Sequence, residues 1–488
     1  MKLKLSAFLL PRLRDILFLA IFVSALAFGN RMLNMDGDLP RHLLTGKFIL
    51  QTHSIPNTEP FAYPYEGKMY VSHEWLSDIV LFWLYNSVGL AGIVLLAALL
   101  LASTFTLLFT HLVSQQAIRI PTILIMAWGA AATSLNWATR PHLFSMLFLA
   151  IWLVQTDRLA RGKTVPLWGF PALMVLWSNM HGEFIAGILV TFAYACGWLW
   201  DFLFDRANAT GEVGKRLGLG LALSVLASMA NPAGIRPWAT ILGFVNNRYL
   251  MSRMYESNPP NFQQSQFLVL LGLLAFSLII LAIKKGKIPT GRAFTLAGFS
   301  AMSLIAARNI HLYGVVAPFV LAEPLSEILS APFVRKIEST LQSMESQLRG
   351  ILWPAITVIA LGGFLLTGKM GNLYQFSPSF FPVDAVRWLE SHPQQGNMFN
   401  NLDWGGYLAL HLWPNQRIFV DSMADTSGEL TMQYEQVVML YDGWNNVLEK
   451  YQVEWAILSG RSPLSTALQN EGWQILYEDK IAVILRRK

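Results

Sequence analysis

Long apolar stretches alternate with short polar segments over the first 370 residues of the chain. A helix needs roughly 20 mostly apolar residues to cross a bilayer. The sequence therefore predicts about eleven spans, with soft boundaries, at 15–34, 90–113, 120–137, 143–157, 165–180, 184–201, 217–230, 264–283, 291–307, 310–327 and 351–369. The shorter apolar stretch 76–88 predicts an amphipathic helix at the membrane interface.

The charges between the spans predict the topology. One set of alternate loops and helix ends carries 18 Lys and Arg residues, among them Lys2, Lys4, Arg206, Lys285 and Lys287, whereas the other set carries 9. Cytoplasmic loops of membrane proteins carry the excess of Lys and Arg. We therefore expect a multi-pass protein of the inner (plasma) membrane, with a cytoplasmic N-terminus and an extracytoplasmic C-terminal tail.

The composition changes at about Phe376, where short amphipathic stretches and turn residues replace the apolar runs. The pattern predicts helices over 384–391 and 406–412, and strands over 417–420, 454–458, 473–477 and 481–485. This alternation predicts a small α/β domain. We thus divide the chain into a transmembrane module, 1–370, with a first outer loop at 35–78, and an extracytoplasmic domain, 376–488.

Composition narrows the class of protein further. The 488 residues are 54% hydrophobic and 14% charged, whereas soluble domains carry about 25% charged residues. The single cysteine, Cys196, excludes an intrachain disulfide and a cysteine-based metal motif. The net charge of +6 agrees with the topology rule, so nucleic-acid binding is excluded as the main role. The nucleotide-binding motifs GxGxxG and GxxxxGK[ST] do not occur in the sequence.

Ionisable residues gather at the predicted outer ends of the spans. Such groups are costly at membrane depth, so their convergence on one face of a bundle indicates a reaction or binding cavity. The first outer loop and the later helix ends contribute, in chain order, Asp36, Asp38, His42, His73, Glu74, Arg140, His142, His181, Glu183, Arg308 and His311.

Asp36 and Asp38 are the candidate catalytic residues. A solvated turn would also explain an Asp-Gly-Asp sequence, but His42 and an amphipathic stretch follow at the same interface. In an extended turn the two carboxylates would point the same way, and their repulsion would raise one pKa unless a cation lies between them. We favour Asp36 slightly as the base, because it lies nearer the end of the first span.

The other polar motifs have structural explanations beside functional ones. His73-Glu74-Trp75 also fits a helix cap with an interfacial Trp, and Arg140 fits the start of a helix with a snorkelling side chain. Arg308 lies between two apolar runs and needs an anion, either a protein carboxylate or a ligand phosphate. In the tail, we interpret the segments around Asp403 and Asp421 as structural turns.

Taken in order, these motifs resemble bacterial polytopic glycosyltransferases of the GT-C class, including the dolichyl-phosphate-mannose and arabinosyl-transferase-like membrane proteins. The resemblance runs over most of the chain. It is carried by Asp36-x-Asp38-x-x-x-His42, His73-Glu74-Trp75-Leu76, Arg140-Pro141-His142, Trp177-x-Asn179-x-His181-Gly182, Asn231-Pro232, Ala307-Arg308-Asn309 and Asn400-x-x-Asp403-Trp404-Gly405-Gly406-Tyr407.

The resemblance implies an inverting transfer of a sugar from a polyprenyl-phosphate-linked donor to a glycan, lipid or protein acceptor of the cell envelope. The base, or the partner of a divalent cation, would be Asp36 or Asp38, and Arg308, with Arg140 second, would hold the donor phosphate. The histidines and glutamates of the outer cluster would line the substrate site. A lipid-linked donor also agrees with the topology, because nucleotide sugars are scarce outside the cytoplasm.

Two other classes of function remain open. A transporter or flippase of lipid-linked substrates also places polar groups in a helical bundle, although transporters usually bind near the midplane and contain internal repeats. Here the charges lie at one face, and the sequence shows no repeat. A non-catalytic envelope scaffold would keep the same motifs without activity.

Overall fold

The computed structural model describes residues 9–205, 210–284, 288–367, 373–423 and 427–488. Lys2, Lys4, Arg206, Lys285 and Lys287, which contribute to the charge asymmetry, and the last residues of the predicted span 351–369 lie outside this description. Before the tail, helices occupy Leu13–Ala27, Gly29–Leu33, Asp38–Thr52, Trp75–Val88, Leu90–Ser114, Arg119–Thr133, His142–Ala160, Gly169–Met180, Phe184–Phe204, Gly211–Ala227, Arg236–Asn246, Arg248–Arg253, Leu268–Ile283, Thr290–Ile305, Ile310–Ile328, Pro332–Gln347 and Leu352–Leu366.

Four helical segments of the described chain are long and apolar enough to cross a membrane alone: Leu90–Ser114, His142–Ala160, Phe184–Phe204 and Ser265–Ile283. A fifth is added if Pro332–Gln347 and Leu352–Phe364, bent by 63°, count as one span. The other predicted spans also form helices, but these are shorter or less apolar, and the first breaks at Phe28. The chain is thus a helical membrane protein, and eleven spans remain a prediction.

The helix Ile310–Ile328 forms the centre of the bundle, with nearly every residue from its start to Ser326 buried. It packs closely against Arg119–Thr133, where a Cβ atom on Gly129 would lie 2.4 Å from the carbonyl oxygen of Gly314. Small residues let two membrane helices approach in this way. The crossing brings the residues that precede Ile310 beside those that follow Thr133, which assembles one side of the candidate site.

Buried charges hold the opposite end of the bundle together. Asp157 accepts hydrogen bonds from Arg161 at 2.9 Å and from Arg292 at 2.7 Å, and both arginines also pair with Glu323. Arg292, one of the basic residues counted in the positively charged set of loops and helix ends, is 1% exposed and joins three helices. Carboxylates inside the protein neutralise the charge of Arg292. This residue is therefore weaker evidence for the orientation of the chain in the membrane than its position in the sequence indicates.

The tail contains the predicted α/β fold. Its sheet has the order β1-β2-β4-β3, with β1 parallel to β2 and the other pairs antiparallel. The strands are β1 (Asn397–Asn400), β2 (Val453–Ser459), β3 (Gln474–Glu478) and β4 (Ala482–Arg486), and the helices are Val383–Ser391, Gly405–Leu412, Glu429–Val438, Trp444–Lys450 and Pro463–Asn470. The strand predicted over 417–420 is wrong, because Ile418 forms only an isolated bridge with Ala62 of the first outer loop.

One face of the tail shares a hydrophobic core with the first outer loop. Leu43 and Phe61 of the loop pack in the same buried cluster as Tyr407, Ile418 and Trp455 of the tail. Arg41 of the loop also contacts the tail, and its side chain is completely buried. The tail therefore contacts the loop that carries the candidate aspartates, and this contact fixes the loop relative to the sheet.

Candidate functional site

The two candidate aspartates lie in a bend that leads directly into a helix. Asp38 is the first residue of the helix Asp38–Thr52, and its backbone N–H donates to Oδ1 of Asp36 at 3.0 Å. The extended turn predicted from the sequence is therefore wrong, although the two carboxylates still face a common partner. At the intervening Gly37, a Cβ atom would lie 2.2 Å from the carbonyl oxygen of Asp403, so only glycine fits where the tail approaches.

Arg140 binds both aspartates. Its Nε donates to Oδ2 of Asp36 at 2.9 Å, and its guanidinium lies 2.8 Å from Oδ2 of Asp38. The three side chains are only 18–23% exposed, which leaves them accessible from one side. A cation between the two carboxylates is thus supplied by the protein itself.

Glu256 extends this arrangement to Arg308. One carboxylate oxygen of Glu256 lies 3.6 Å from Arg140, and the other lies 3.7 Å from Arg308. Arg308 is 37% exposed and lies over the ring of Phe244. We call Asp36, Asp38, Arg140, Glu256 and Arg308 the carboxylate cluster. Glu256 was not predicted as a site residue, although it is the only acidic residue between Glu212 and Glu323 in the sequence and lies in a predicted outer loop.

The tail contributes two polar groups beside the aspartates. The hydroxyl of Ser422 donates to Oδ1 of Asp38. Burial raises the pKa of Asp403, and the nearby charges of Asp38 and Asp36 raise it further. The tail therefore reaches the carboxylate cluster through segments that the sequence analysis interpreted as structural turns.

A second group of side chains surrounds Glu74. Its carboxylate lies 3.3 Å from His181, 3.7 Å from His73 and 3.8 Å from His42. Burial favours a raised pKa at Glu74, but the charges of these histidines and of Arg140 outweigh it and hold the pKa below its ordinary value. Glu74 is therefore ionised at neutral pH, and Arg140 couples it electrostatically to the carboxylate cluster.

His42 forms a buried pair with Asp78, a residue that the sequence analysis did not single out. The distance from its Nδ1 to Oδ1 of Asp78 is 2.7 Å. Burial lowers the pKa of His42, but Asp78 and Glu74 more than offset this and raise it to about 9. His42 is thus held by protein carboxylates inside the first outer loop and anchors its helix to Trp75–Val88.

Glu183 connects the remaining histidines. It lies 3.0 Å from Nε2 of His311 and 3.4 Å from Nδ1 of His181. The ring of His142 lies 5.2 Å from that of His311, and Nε2 of His142 lies 2.6 Å from the backbone oxygen of Asn136. Nδ1 of His311 is buried and has no hydrogen-bond partner among the described residues. We call this set the histidine cluster: His42, His73, Glu74, Asp78, His142, His181, Glu183 and His311.

The structure thus brings all the predicted site residues into two adjoining clusters. Their roles in binding or catalysis stay predictions. Two asparagines of the quoted motifs have clear structural partners instead: Asn179 accepts from Trp75 and donates to Ala230, and Asn231 donates to the carbonyl of Ser178. These bonds hold the loops that carry the clusters.

The carboxylate pair does not fit a divalent cation in this arrangement. Arg140 occupies the position between Asp36 and Asp38, donating to Asp36 and forming an ion pair with Asp38 at 2.8 Å. Within the described ranges, moreover, His, Cys, Asp and Glu side chains form no group of three or more suited to holding a metal ion. At this pair, the guanidinium of Arg140 takes the place that a cation would occupy.

Comparison with known proteins identifies the fold. No protein-family model matches the chain, and no curated protein matches it in sequence. Among solved structures, it is similar to the apo oligosaccharyltransferase of Archaeoglobus fulgidus, with a TM-score of 0.55 and 11% identity over 91% of this chain and 69% of that one. The same enzyme tethered to an acceptor peptide with an NVT sequon matches at TM-score 0.55 and 12% identity, with the same coverage.

A second solved protein matches over nearly its whole length. ArnT from Cupriavidus metallidurans in the apo state has a TM-score of 0.53 and 11% identity, over 96% of this chain and 97% of that one. Both neighbours are GT-C glycosyltransferases. The resemblance indicated by the sequence motifs is therefore confirmed at the level of the fold: the chain has the fold of the GT-C membrane glycosyltransferases.

Proposed function

We propose that this protein transfers a sugar, with inversion, from a polyprenyl-phosphate-linked donor to a glycan, lipid or protein acceptor at the outer face of the inner membrane. The observation that carries the proposal is the carboxylate cluster, in which a partly exposed pair of aspartates lies beside two arginines on a glycosyltransferase fold. Inverting transfer requires a base for the acceptor hydroxyl and stabilisation of the departing phosphate.

The residues divide between these two tasks. One of Asp36 and Asp38 accepts the proton of the acceptor hydroxyl as its oxygen forms the new bond to the sugar C1. The bond from C1 to the phosphate oxygen breaks at the same time, and polyprenyl phosphate leaves with the electron pair. The other aspartate holds Arg140 in place, because both carboxylates bind the same guanidinium.

Arg308 is the better candidate for the donor phosphate. Arg140 already pairs with Asp36, Asp38 and Glu256. Among the described residues, Arg308 pairs with one carboxylate, Glu256 at 3.7 Å, and it is more exposed. An exposed guanidinium can turn toward a phosphate and bind it with two parallel hydrogen bonds. The same contact with Glu256 would hold Arg308 near the reacting atoms when no donor is bound.

Arg308→Lys is expected to weaken donor binding by about tenfold, because lysine keeps the charge but loses the paired hydrogen bonds. The KM for the donor should rise, with a smaller change in kcat. Arg236→Lys is the matched control: this exposed arginine begins the helix Arg236–Asn246 and forms no ion pair with the carboxylate cluster among the described residues, so both constants should stay unchanged. An unchanged donor KM in Arg308→Lys would assign this arginine a structural role only.

The proposed transfer is tested by comparing lipid-linked sugars in wild-type and deletion strains by mass spectrometry. Loss of the protein should cause one polyprenyl-phosphate sugar to accumulate and one envelope glycan to lose a sugar. The purified protein should then release polyprenyl phosphate from that donor when acceptor is added. Movement of the lipid across vesicle membranes without cleavage would favour the flippase alternative, and no change in any lipid would favour a scaffold.

The orientation is part of the proposal. With a cytoplasmic N-terminus, reporter fusions at Lys163 and Lys488 should report opposite sides of the membrane, because the loop at Lys163 belongs to the positively charged set. Lys163 and the carboxylate cluster lie at opposite ends of the helix His142–Ala160. Reporters on the same side would contradict the topology and with it the outer location of the site.

A further inference from the structure

A basic cavity lies at the end of the bundle opposite the candidate site. Its volume is about 290 Å³, and its lining includes Arg12, Arg14, Arg119, Phe109 and Glu345. Arg119 begins a helix of 15 residues, about 22 Å long, whose far end leads to Arg140. The cavity is therefore separate from both clusters described above.

The arginines of this cavity are incompletely neutralised. Glu345 binds Arg119 at 2.7 Å, Glu338 binds it as well, and Arg14 pairs with Asp15 at 3.3 Å. Arg12 donates to the backbone oxygen of Leu348, has no carboxylate within salt-bridge distance in the described chain, and its Nε is buried without a hydrogen-bond partner. Carboxylates thus neutralise Arg14 and Arg119, whereas Arg12 keeps an uncompensated positive charge and a buried N–H donor that meets no acceptor in the described part of the chain.

An amphipathic helix lies beside this cavity. Pro332–Gln347 has no buried residue, and Phe333, Ile337 and Met344 expose their side chains on one face. The adjoining face carries Glu338 and Glu345, which bind Arg119 and attach the helix to the bundle. A helix with this pattern lies in the plane of a membrane surface with its apolar side toward the acyl chains.

We propose that the basic cavity and the helix Pro332–Gln347 together bind an anionic phospholipid. The phosphate would accept hydrogen bonds from Arg12 and Arg14, since guanidinium groups bind phosphate oxygens in pairs. The acyl chains would lie along the apolar face of the helix and the exposed side of the bundle. Basic pockets at the ends of membrane helices bind lipid headgroups by the same physical principle. This site does not depend on the proposed transfer reaction.

The test measures lipid retention by native mass spectrometry of the full-length protein from nanodiscs containing phosphatidylglycerol or phosphatidylcholine. The wild type should retain one phosphatidylglycerol in preference to phosphatidylcholine. The double variant Arg12→Gln/Arg14→Gln should bind it at least about tenfold more weakly, because two charge-assisted contacts are lost. Arg158→Gln, which removes an exposed arginine outside the cavity lining, should bind normally.

Further arms separate the possible outcomes. If the double variant unfolds, Arg14→Gln alone keeps the bond of Arg12 to Leu348 and should still lower retention. Inorganic phosphate at 10-fold excess over lipid should not displace the phosphatidylglycerol, because it cannot use the apolar face; complete displacement would assign the cavity to free phosphate instead. Equal retention of the two lipids, or equal loss in Arg158→Gln, would overturn the proposal.

Discussion

Replacing Asp36 and Asp38 one at a time by asparagine is expected to lower turnover by about two to four orders of magnitude at the residue that acts as the base. Asparagine preserves the size of the side chain but cannot accept the proton of the acceptor hydroxyl. Donor binding should survive, because the donor phosphate is assigned to Arg308. The measurement is kcat in both variants, with donor affinity determined separately.

The second aspartate should show a smaller effect, because it acts by holding Arg140. Asp403→Asn is the matched control: this tail carboxylate lies close enough to the pair for its pKa to be raised by their charges, and its loss should leave turnover within a few-fold of wild type. Wild-type turnover in both Asp36→Asn and Asp38→Asn would contradict the assignment and leave Glu74 or Glu183 as the next candidates. A large loss in Asp403→Asn alone would place the base in the tail.

Asp421→Asn is expected to destabilise the protein by about 1.5–3 kcal/mol, since the buried guanidinium of Arg41 loses one of its two charge-assisted hydrogen bonds and keeps only the one to Glu59. Arg41 is fully buried, lies 2.7 Å from both Asp421 and Glu59, and packs on the ring of Phe61. Water cannot replace the lost carboxylate at this position. The free energy of unfolding of the detergent-solubilised protein measures the effect.

The matched control for this prediction is Asp384→Asn. Asp384 also pairs with an arginine in the tail, Arg387, at 2.7 Å, but the two side chains are 59% and 71% exposed. Exposed pairs contribute less than about 1 kcal/mol, so this variant should unfold almost like the wild type. Equal stability of Asp421→Asn and Asp384→Asn would show that Arg41 finds another partner and that the tail is not held through this contact.

The sequence predicted what depends on local pattern. The helices Leu90–Ser114, His142–Ala160 and Phe184–Phe204 follow from continuous apolar runs, and β2 and β4 follow from short runs of branched and aromatic residues. The convergence of the ionisable residues was also predicted from the sequence, because every second connection between successive membrane helices lies on the same face of the bundle.

The partners of those residues could not be read from the pattern. Glu256 pairs with Arg140, and Asp421 pairs with Arg41. Each pair is more than 100 residues apart in the chain. Local periodicity determines which side of a helix is apolar, but not which distant side chain meets an arginine.

The division between sequence and tertiary structure is clearest at the aspartate turn and at Ile418. The sequence determined that Asp36 and Asp38 lie beyond an apolar helix, beside a glycine. Only the packing of the tail decided that the turn bends into a helix, that Ser422 binds Asp38, and that Ile418 bridges to Ala62 instead of joining the sheet. The physical reason is that backbone and carboxylate groups take the hydrogen-bond partners that the folded chain brings near, and burial makes an unpaired group costly.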